Sequence, residues 1–343
     1  MRRLNQCKHV RRKQSTQVFL AIIVITLAGV CFSCSDSILE PEHTFPFKPG
    51  PILINSNISG SSQLWSMEED GSDVKQLTDD PEFPIAGAQW SPDGSKIAFR
   101  SYAPGIDVPY DFTQAIYVMN ADGSGKRRLT NPPVGFRMIG DGGIVWSPDG
   151  TKIAFSRHIP PEFAGHFVVF IIDLETKTEK LVSDAARSVF GWFPEGDKLL
   201  VKYRNNSLQS RLGVLDTDGN FIEDLTPENS TFNSALLSPD GSKIALSSSA
   251  ELFTMDSDGR NLKKIKDAVY ADWIQTWSPD SDRILYIEEL KRDLAFTPTP
   301  RYHKIIHIET KKEIDVTPFD YHELYNYEEY REKYCYITSW RRD

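Results

Sequence analysis

The side chains that could carry chemistry are concentrated in three irregular segments, residues 101–114, 131–143 and 157–167. These segments combine carboxylates, imidazoles, guanidinium groups and phenols, which can bind a polar ligand, act as acid and base, or hold a metal ion. The candidate ligand-binding residues are Tyr102, Asp107, Tyr110, Asp111, Arg137, Asp141, Arg157, His158, Glu162 and His166. The same residues could instead be solvated loop tips and ion pairs between neighbouring units of the fold, and the sequence leaves both alternatives open.

Carboxylate chemistry is one use for these segments. Asp111, Asp141 and Glu162 could supply the pair of carboxyl groups that glycosidases need, and the separation of the two groups would decide whether they do. Signatures of several other enzymes are missing from the sequence, which has no GxSxG nucleophile elbow, no Walker A loop and no HExxH zinc motif. We therefore assign no catalytic residue and expect a non-catalytic protein.

Metal binding is a second use. His158 and His166 flank one loop and could converge with His303 or His322 on a metal ion. His303 and His307 are four residues apart on a predicted strand, where they would lie about 13 Å from each other and could not share a metal. We predict neither a metal site nor a cofactor.

The N-terminal residues have the pattern of an export signal. Residues 1–17 contain six basic residues and no acidic one, and residues 18–30 are thirteen apolar or small residues. A basic segment followed by an apolar segment of this length is typical of a secretory signal, because it is too short to span a bilayer. We assign residues 1–33 to a signal peptide, with an uncleaved N-terminal anchor as the alternative.

The residues that follow resemble a bacterial lipoprotein cleavage site, with a small residue, Ser33, before Cys34 and Ser35 after it. We predict lipidation of Cys34 and assign residues 34–50, which contain three prolines, to the lipidated cysteine and a tether. The resemblance implies a protein of the bacterial cell envelope, held at the outer membrane by its lipid alone. Only Cys335 would then remain as a second cysteine, so we expect no disulfide framework.

Charge argues against nucleic acid as a partner. The full chain carries a formal charge of −9, and removal of residues 1–33 leaves 33 basic and 48 acidic residues, a net charge of −15. Binding to a phosphate backbone requires a basic face, which this composition does not favour. We expect a monomer that binds an envelope protein or a glycan.

Two repeated motifs must position these segments. An eleven-residue pattern, WSPDGSKIAFR in its first copy, starts at Trp90, Trp146, Trp192, Leu237 and Trp277, at intervals of 56, 46, 45 and 40 residues. Its Pro-Asp-Gly core is turn chemistry between two strands. A second motif, a strand followed by an Asp-Gly type hairpin and a short strand, occurs six times, at residues 64–78, 116–130, 169–182, 212–226, 252–265 and 303–317. Six hairpins predict six four-stranded blades.

The N-terminal and C-terminal ends of the domain supply the inner strands of the remaining blade. Trp340 aligns with the Trp of the eleven-residue pattern, but the chain ends at Asp343, so the strand that should follow is missing there. Residues 51–56 precede the first hairpin and can supply it. We predict an all-β, six-bladed β-propeller over residues 51–343, closed by pairing of its N-terminal and C-terminal strands in one blade.

The two motifs together resemble the TolB-type, WD-like propeller repeat, without the α/β domain that precedes the propeller in TolB. The resemblance implies a propeller whose turns and Asp-Gly hairpins lie on one face, and whose irregular loops ring the opposite face. We therefore expect an envelope lipoprotein that binds a protein or glycan through this loop-rich face. The alternative is a carbohydrate-active lyase or hydrolase with its site on the same face, possible because oligogalacturonate lyases are propellers with several histidines around a metal.

Overall fold

The structure, a computed structural model, describes residues 50–102, 113–132, 140–159, 166–204, 209–226, 232, 234–248, 251–267, 273–289, 301–318 and 335–341. Contacts divide the chain into two units, Met1–Glu40 and Pro41–Asp343, and every described residue belongs to the second. The predicted signal peptide and Cys34 lie outside the described residues. The described elements are all strands, and no helix among them is long and apolar enough to cross a membrane.

The strands form six four-stranded antiparallel sheets, each one blade, with the inner strand given first. Blade one contains β24 (Cys335–Trp340), β1 (Ile52–Ser56), β2 (Gln63–Met67) and β3 (Lys75–Gln76); blade two β4 (Ile85–Trp90), β5 (Lys96–Tyr102), β6 (Gln114–Asn120) and β7 (Arg127–Arg128); blade three β8 (Asp141–Trp146), β9 (Lys152–His158), β10 (Phe167–Asp173) and β11 (Glu179–Ser183). Blade four contains β12 (Ala186–Trp192), β13 (Lys198–Arg204), β14 (Ser210–Asp216) and β15 (Phe221–Asp224); blade five β16 (Ser234–Leu237), β17 (Lys243–Ser248), β18 (Glu251–Asp256) and β19 (Lys263–Asp267); blade six β20 (Trp273–Trp277), β21 (Arg283–Glu289), β22 (Arg301–His307) and β23 (Glu313–Asp315). The predicted six-bladed propeller is confirmed.

The ring is closed by the two ends of the propeller. β1 pairs antiparallel with β24, and Ile54 lies directly opposite Ile337. Both side chains are buried, in one cluster with Leu285 and Ile305 of blade six. β24 also contacts the inner strands of blades two and six, so the predicted closure is confirmed and no inner strand is left without neighbours.

The eleven-residue motif forms a tight turn and an anchor between blades. In blade two, Gly94 donates to the carbonyl of Ser91, and Asp93 accepts from the Ser91 hydroxyl and from the backbone N–H of Ser95. These hydrogen bonds, led by that of Ser91, lower the pKa of Asp93 to about 2. The indole Nε1 of Trp146 donates to the carbonyl of Gln89 at 3.2 Å and so links blade three to blade two.

The Asp-Gly hairpins pack against the preceding blade, which explains the glycine. Gly219 of blade four has a φ of +94°, and a Cβ there would lie 1.9 Å from the carbonyl oxygen of Val182 in blade three. Gly71 and Gly259 approach Val316 and Leu225 of their own preceding blades in the same way. Repetition of this contact fixes the hairpins on one side of the ring, here named the motif face together with the SPDG turns. The opposite side is the loop-rich face.

Candidate functional site

A cavity of about 830 Å³ is enclosed by the inner strands of all six blades. It extends from the prolines of the turns on the motif face, such as Pro92 and Pro148, to residues near the loop-rich face, such as Ser234 and Gly142. Its volume lies in the range of ordinary ligand sites. The cavity lies at the centre of the ring, because the inner strand of every blade contributes residues to its wall.

The wall of this axial cavity is divided into a polar and an apolar half. Blades six, one and two, which are neighbours, contribute Gln275, Thr338 and Gln89. Blades three, four and five contribute Val145, Phe190 and Leu236 at the corresponding level. Ser188 and Ser234 add hydroxyls nearer the loop-rich face. The wall can therefore offer hydrogen bonds on one side and apolar contact on the other.

Charged groups among the described lining residues are limited to Asp240, Asp280 and Arg341, all in or beside the turns of the motif face. Burial alone would raise the pKa of Asp240, but hydrogen bonds from Ser238 and Ser242 outweigh it and lower the pKa. The Arg341 guanidinium lies 3.9 Å from the centre of a Trp ring and donates to the carbonyl of Gly94. Between the two faces, the lining residues that the structure describes are uncharged.

The structure describes half of the residues predicted to form a site on the loop-rich face. Asp107, Tyr110, Asp111, Arg137 and Glu162 lie outside the described residues. Tyr102, His158 and His166 are found at the ends of strands on the loop-rich face, where Tyr102 is 36% exposed. Asp141 and Arg157 are buried instead.

Asp141 and Arg157 form a buried ion pair at the side of blade three. Arg157 donates from Nε to Asp141 at 2.6 Å and from Nη2 at 3.1 Å, and its Nη1 donates to Glu179 at 2.6 Å. The Thr130 hydroxyl of blade two also donates to Asp141. Burial raises the pKa of the Asp141 carboxyl, and the hydrogen bonds from Arg157 oppose this shift. Asp141 and Arg157 thus form an ion pair within blade three, with Thr130 of blade two as a further hydrogen-bond donor.

The two histidines of blade three do not point to one place. His158 lies opposite Phe167 in the β9–β10 pair, and Ile159 opposes His166 through a backbone hydrogen bond. Because neighbouring residues on a strand point to opposite faces, His158 and His166 lie on opposite faces of the hairpin. Among the described residues no group of three or more His, Cys, Asp or Glu side chains is placed to hold a metal ion. His322 lies outside this part of the chain.

The residues that line the axial cavity were not identified from the sequence. The position before the Trp identifies the wall residue in blades two and three, Gln89 and Val145. In blades four, six and one the register shifts by one residue at Phe190, Gln275 and Thr338, so the residue two before the Trp faces the cavity. The repeat could have indicated a wall position, but not these shifts.

Comparison with known sequences gives partial matches. No protein-family model matches the chain. An uncharacterized protein of Agrobacterium fabrum is 34% identical over 120 residues, 32% of this chain and 37% of that protein. A protein described as a TolB homolog, from Chlorobium luteolum, is 29% identical over 160 residues, 36% of this chain and 34% of that protein. The chain thus covers about a third of the length of each relative.

Comparison with solved structures supports the fold. TolB of Acinetobacter baumannii superposes with a TM-score of 0.60 at 18% identity, over 77% of this chain and 62% of that one. A structure described as putative TolB of Agrobacterium tumefaciens gives 0.57 at 17% identity, over 84% and 96%. An oligogalacturonate lyase in complex with manganese gives 0.50 at 18% identity, over 77% and 72%. At these identities the likeness concerns the fold.

Proposed function

We propose that this TolB-like six-bladed β-propeller is a non-catalytic binding module of the bacterial envelope, which takes a segment of a protein partner into its axial cavity from the loop-rich face. The observation that carries the proposal is the amphipathic, uncharged wall of the cavity. Gln89, Gln275 and Thr338 can hydrogen-bond a peptide backbone, and Phe190 and Leu236 can cover apolar side chains. Protein binding agrees with the TolB-like fold.

The start of β1 lies on the motif face, because Pro51 accepts a backbone hydrogen bond from Arg341, whose guanidinium donates to the carbonyl of Gly94 in a turn of that face. The partner is proposed to approach from the opposite, loop-rich face. We propose export through the signal peptide, lipidation at Cys34 and residence at the outer membrane as a monomer. Palmitate labelling of wild type and Cys34→Ala tests the lipid, and label retained in the variant would refute it.

A capture experiment tests the cavity. Gln89→Arg introduces a long, charged side chain into the polar half of the wall, whereas Gln76→Arg makes the same change on the outer strand β3. Both variants should keep the thermal stability of the wild type within a few degrees. After crosslinking in envelopes, we expect Gln89→Arg to lose the captured protein and Gln76→Arg to retain it. Equal capture by both variants would show that the cavity is not the binding site.

The alternative is a carbohydrate-active lyase or hydrolase, with or without a metal ion, whose site lies on the loop-rich face. The likeness to the fold of an oligogalacturonate lyase supports it. The opposed faces of His158 and His166 argue against their joint use as metal ligands. Metal analysis of the purified protein and turnover assays on polyuronides distinguish the two functions, because a pure binding module gives neither stoichiometric metal nor product.

A further inference from the structure

Arg100 occupies an unusual position on the loop-rich side of blade two. It lies near the end of β5, opposite Ala86 of the inner strand, and is only partly exposed. Its guanidinium donates no hydrogen bond to any residue that the structure describes. Burial lowers the pKa of Arg100, and the negative charge of Asp141 opposes that shift. A partly buried guanidinium that donates to no described acceptor lowers the stability of the fold, and such groups are rare in native proteins.

The neighbouring carboxylate of Asp141 accepts hydrogen bonds from other residues and none from Arg100. Both oxygens of Asp141 already accept from Arg157, at 2.6 Å and 3.1 Å, and one of them accepts from Thr130 as well. Asp141 contributes a Coulombic attraction to Arg100 and no hydrogen bond. The donors of the Arg100 guanidinium remain available to a group from outside the described chain.

Two glycines leave room beside these donors. A Cβ on Gly87 of blade two would lie 3.0 Å from Nη2 of Arg100, and a Cβ on Gly142 of blade three would lie 3.6 Å from Nη1. Side chains at these positions would crowd the guanidinium. Because both positions are glycine, neither inner strand places a side chain against the Arg100 guanidinium at these two points.

A second arginine lies on the other side of blade three. Arg187, near the start of β12, donates from Nη1 to the carbonyl of Phe167 at 3.0 Å, and its buried Nε has no partner among the described residues. Burial and the nearby Arg204 lower the pKa of Arg187. Arg100, Arg187 and Arg204 thus lie on the loop-rich side of blades two to four, with Asp184 close to Arg187.

We propose that Arg100 is an anion-binding residue that receives a carboxylate from an acidic segment of the protein partner, with Arg187 and Arg204 extending the positive surface. The planar guanidinium matches a carboxylate in a two-point hydrogen bond. A chain of net negative charge repels acidic peptides elsewhere, so such a segment would bind where these arginines lie. The proposal rests on the proposed function only for the identity of the partner as a protein.

A labelled hexaglutamate peptide, with hexaglutamine as the neutral control, tests this site on the full chain. Arg100→Met removes the charge and keeps an apolar stem, and Arg260→Met removes one charge from the exposed hairpin of blade five on the motif face. We expect the wild type and Arg260→Met to bind hexaglutamate but not hexaglutamine. Arg100→Met should bind hexaglutamate at least tenfold more weakly, the loss expected for a hydrogen bond to a charged group.

The thermal stability of Arg100→Met separates binding from a structural role. Loss of a cation without an acceptor should leave the melting temperature unchanged or raise it, whereas a marked fall would show that Arg100 supports the fold and would overturn the proposal. Equal hexaglutamate affinity in Arg100→Met and the wild type would also overturn the proposal. If the wild type bound hexagalacturonate more tightly than hexaglutamate, the ligand would be a polyuronide and the proposed acidic protein segment would be wrong. These peptide-binding and stability measurements do not use the protein captured by crosslinking. The Arg100 proposal can therefore fail while the axial cavity is still the binding site, and the reverse.

Discussion

Replacement of Arg157 by methionine should destabilise the propeller, because it leaves Asp141 buried without its counterion. The Arg157 side chain is 7% exposed and that of Asp141 is fully buried, whereas Glu179 is 24% exposed and can be hydrated once released. Removal of one partner from a buried pair costs about 3–5 kcal/mol. Since Thr130 still donates to Asp141, we expect about 3 kcal/mol, which lowers the melting temperature by roughly 6 °C in a domain of this size.

The pH dependence of Arg157→Met supplies a sharper readout. Without Arg157 the pKa of Asp141 in the folded state should lie further above its unfolded value, so the folded state binds more protons than the unfolded state. The destabilisation is therefore full above the folded-state pKa of Asp141 and shrinks as the pH falls through it. Differential scanning calorimetry of the variant and the wild type between neutral and mildly acidic pH measures this convergence.

A double variant is the control for this reasoning. Asp141→Asn together with Arg157→Met removes both charges, and Thr130 can still hydrogen-bond the amide oxygen. The double variant should recover most of the stability lost by the single one and should lose its pH dependence. An Arg157→Met melting temperature within about 2 °C of the wild type at neutral pH would refute the argument.

Three further predictions concern the ring and its turns. Ile337→Ala should destabilise the propeller by about 2–5 kcal/mol in urea unfolding, because this buried side chain packs in the closing blade; no change would contradict closure by this strand. Gly219→Ala should lower the free energy of unfolding by more than about 2 kcal/mol, because its Cβ would collide with the backbone of Val182. Gly196→Ala is the control: nothing lies near its Cβ, so it should lower the free energy of unfolding by only about 1 kcal/mol, through backbone strain. Equal losses in the two variants would refute the close approach of Gly219 to Val182. Asp93→Ala should lower the free energy of unfolding by under about 1 kcal/mol at pH 5, and because the pKa of Asp93 is lowered to about 2, the difference from wild type should shrink steadily as the pH falls from about 4 through 2; a difference at pH 2 as large as that at pH 5 would contradict this.

Much of the fold could be predicted because its signals are local. The SPDG turn is specified by a proline, an aspartate and a glycine within a few residues, and the structure closes it with hydrogen bonds between those same residues. Six copies of a hairpin count the blades directly. Even the pairing of Ile54 with Ile337, which are far apart in sequence, followed from finding one strand missing at each end.

The site was less accessible to prediction because it depends on contacts between blades. Asp141 and Arg157 have residue types suited to binding, but the structure shows that they satisfy each other under cover of the neighbouring blade. Arg100 was not singled out, since nothing within the repeat distinguishes its side chain from a surface arginine. Only the tertiary structure shows that Asp141 accepts from Arg157 and Thr130 and not from Arg100.

The sequence by itself determined the number of blades, the closure of the ring and the face on which the turns lie, because turn geometry and strand alternation act over a few residues. The tertiary structure alone decided which side chains line the axial cavity and that Arg100 donates to no acceptor within the described part of the chain. Register shifts such as that at Phe190 turn side chains toward the cavity, and hydrogen bonds across blades consume some polar groups and spare others. Both effects depend on neighbours that are distant in the chain.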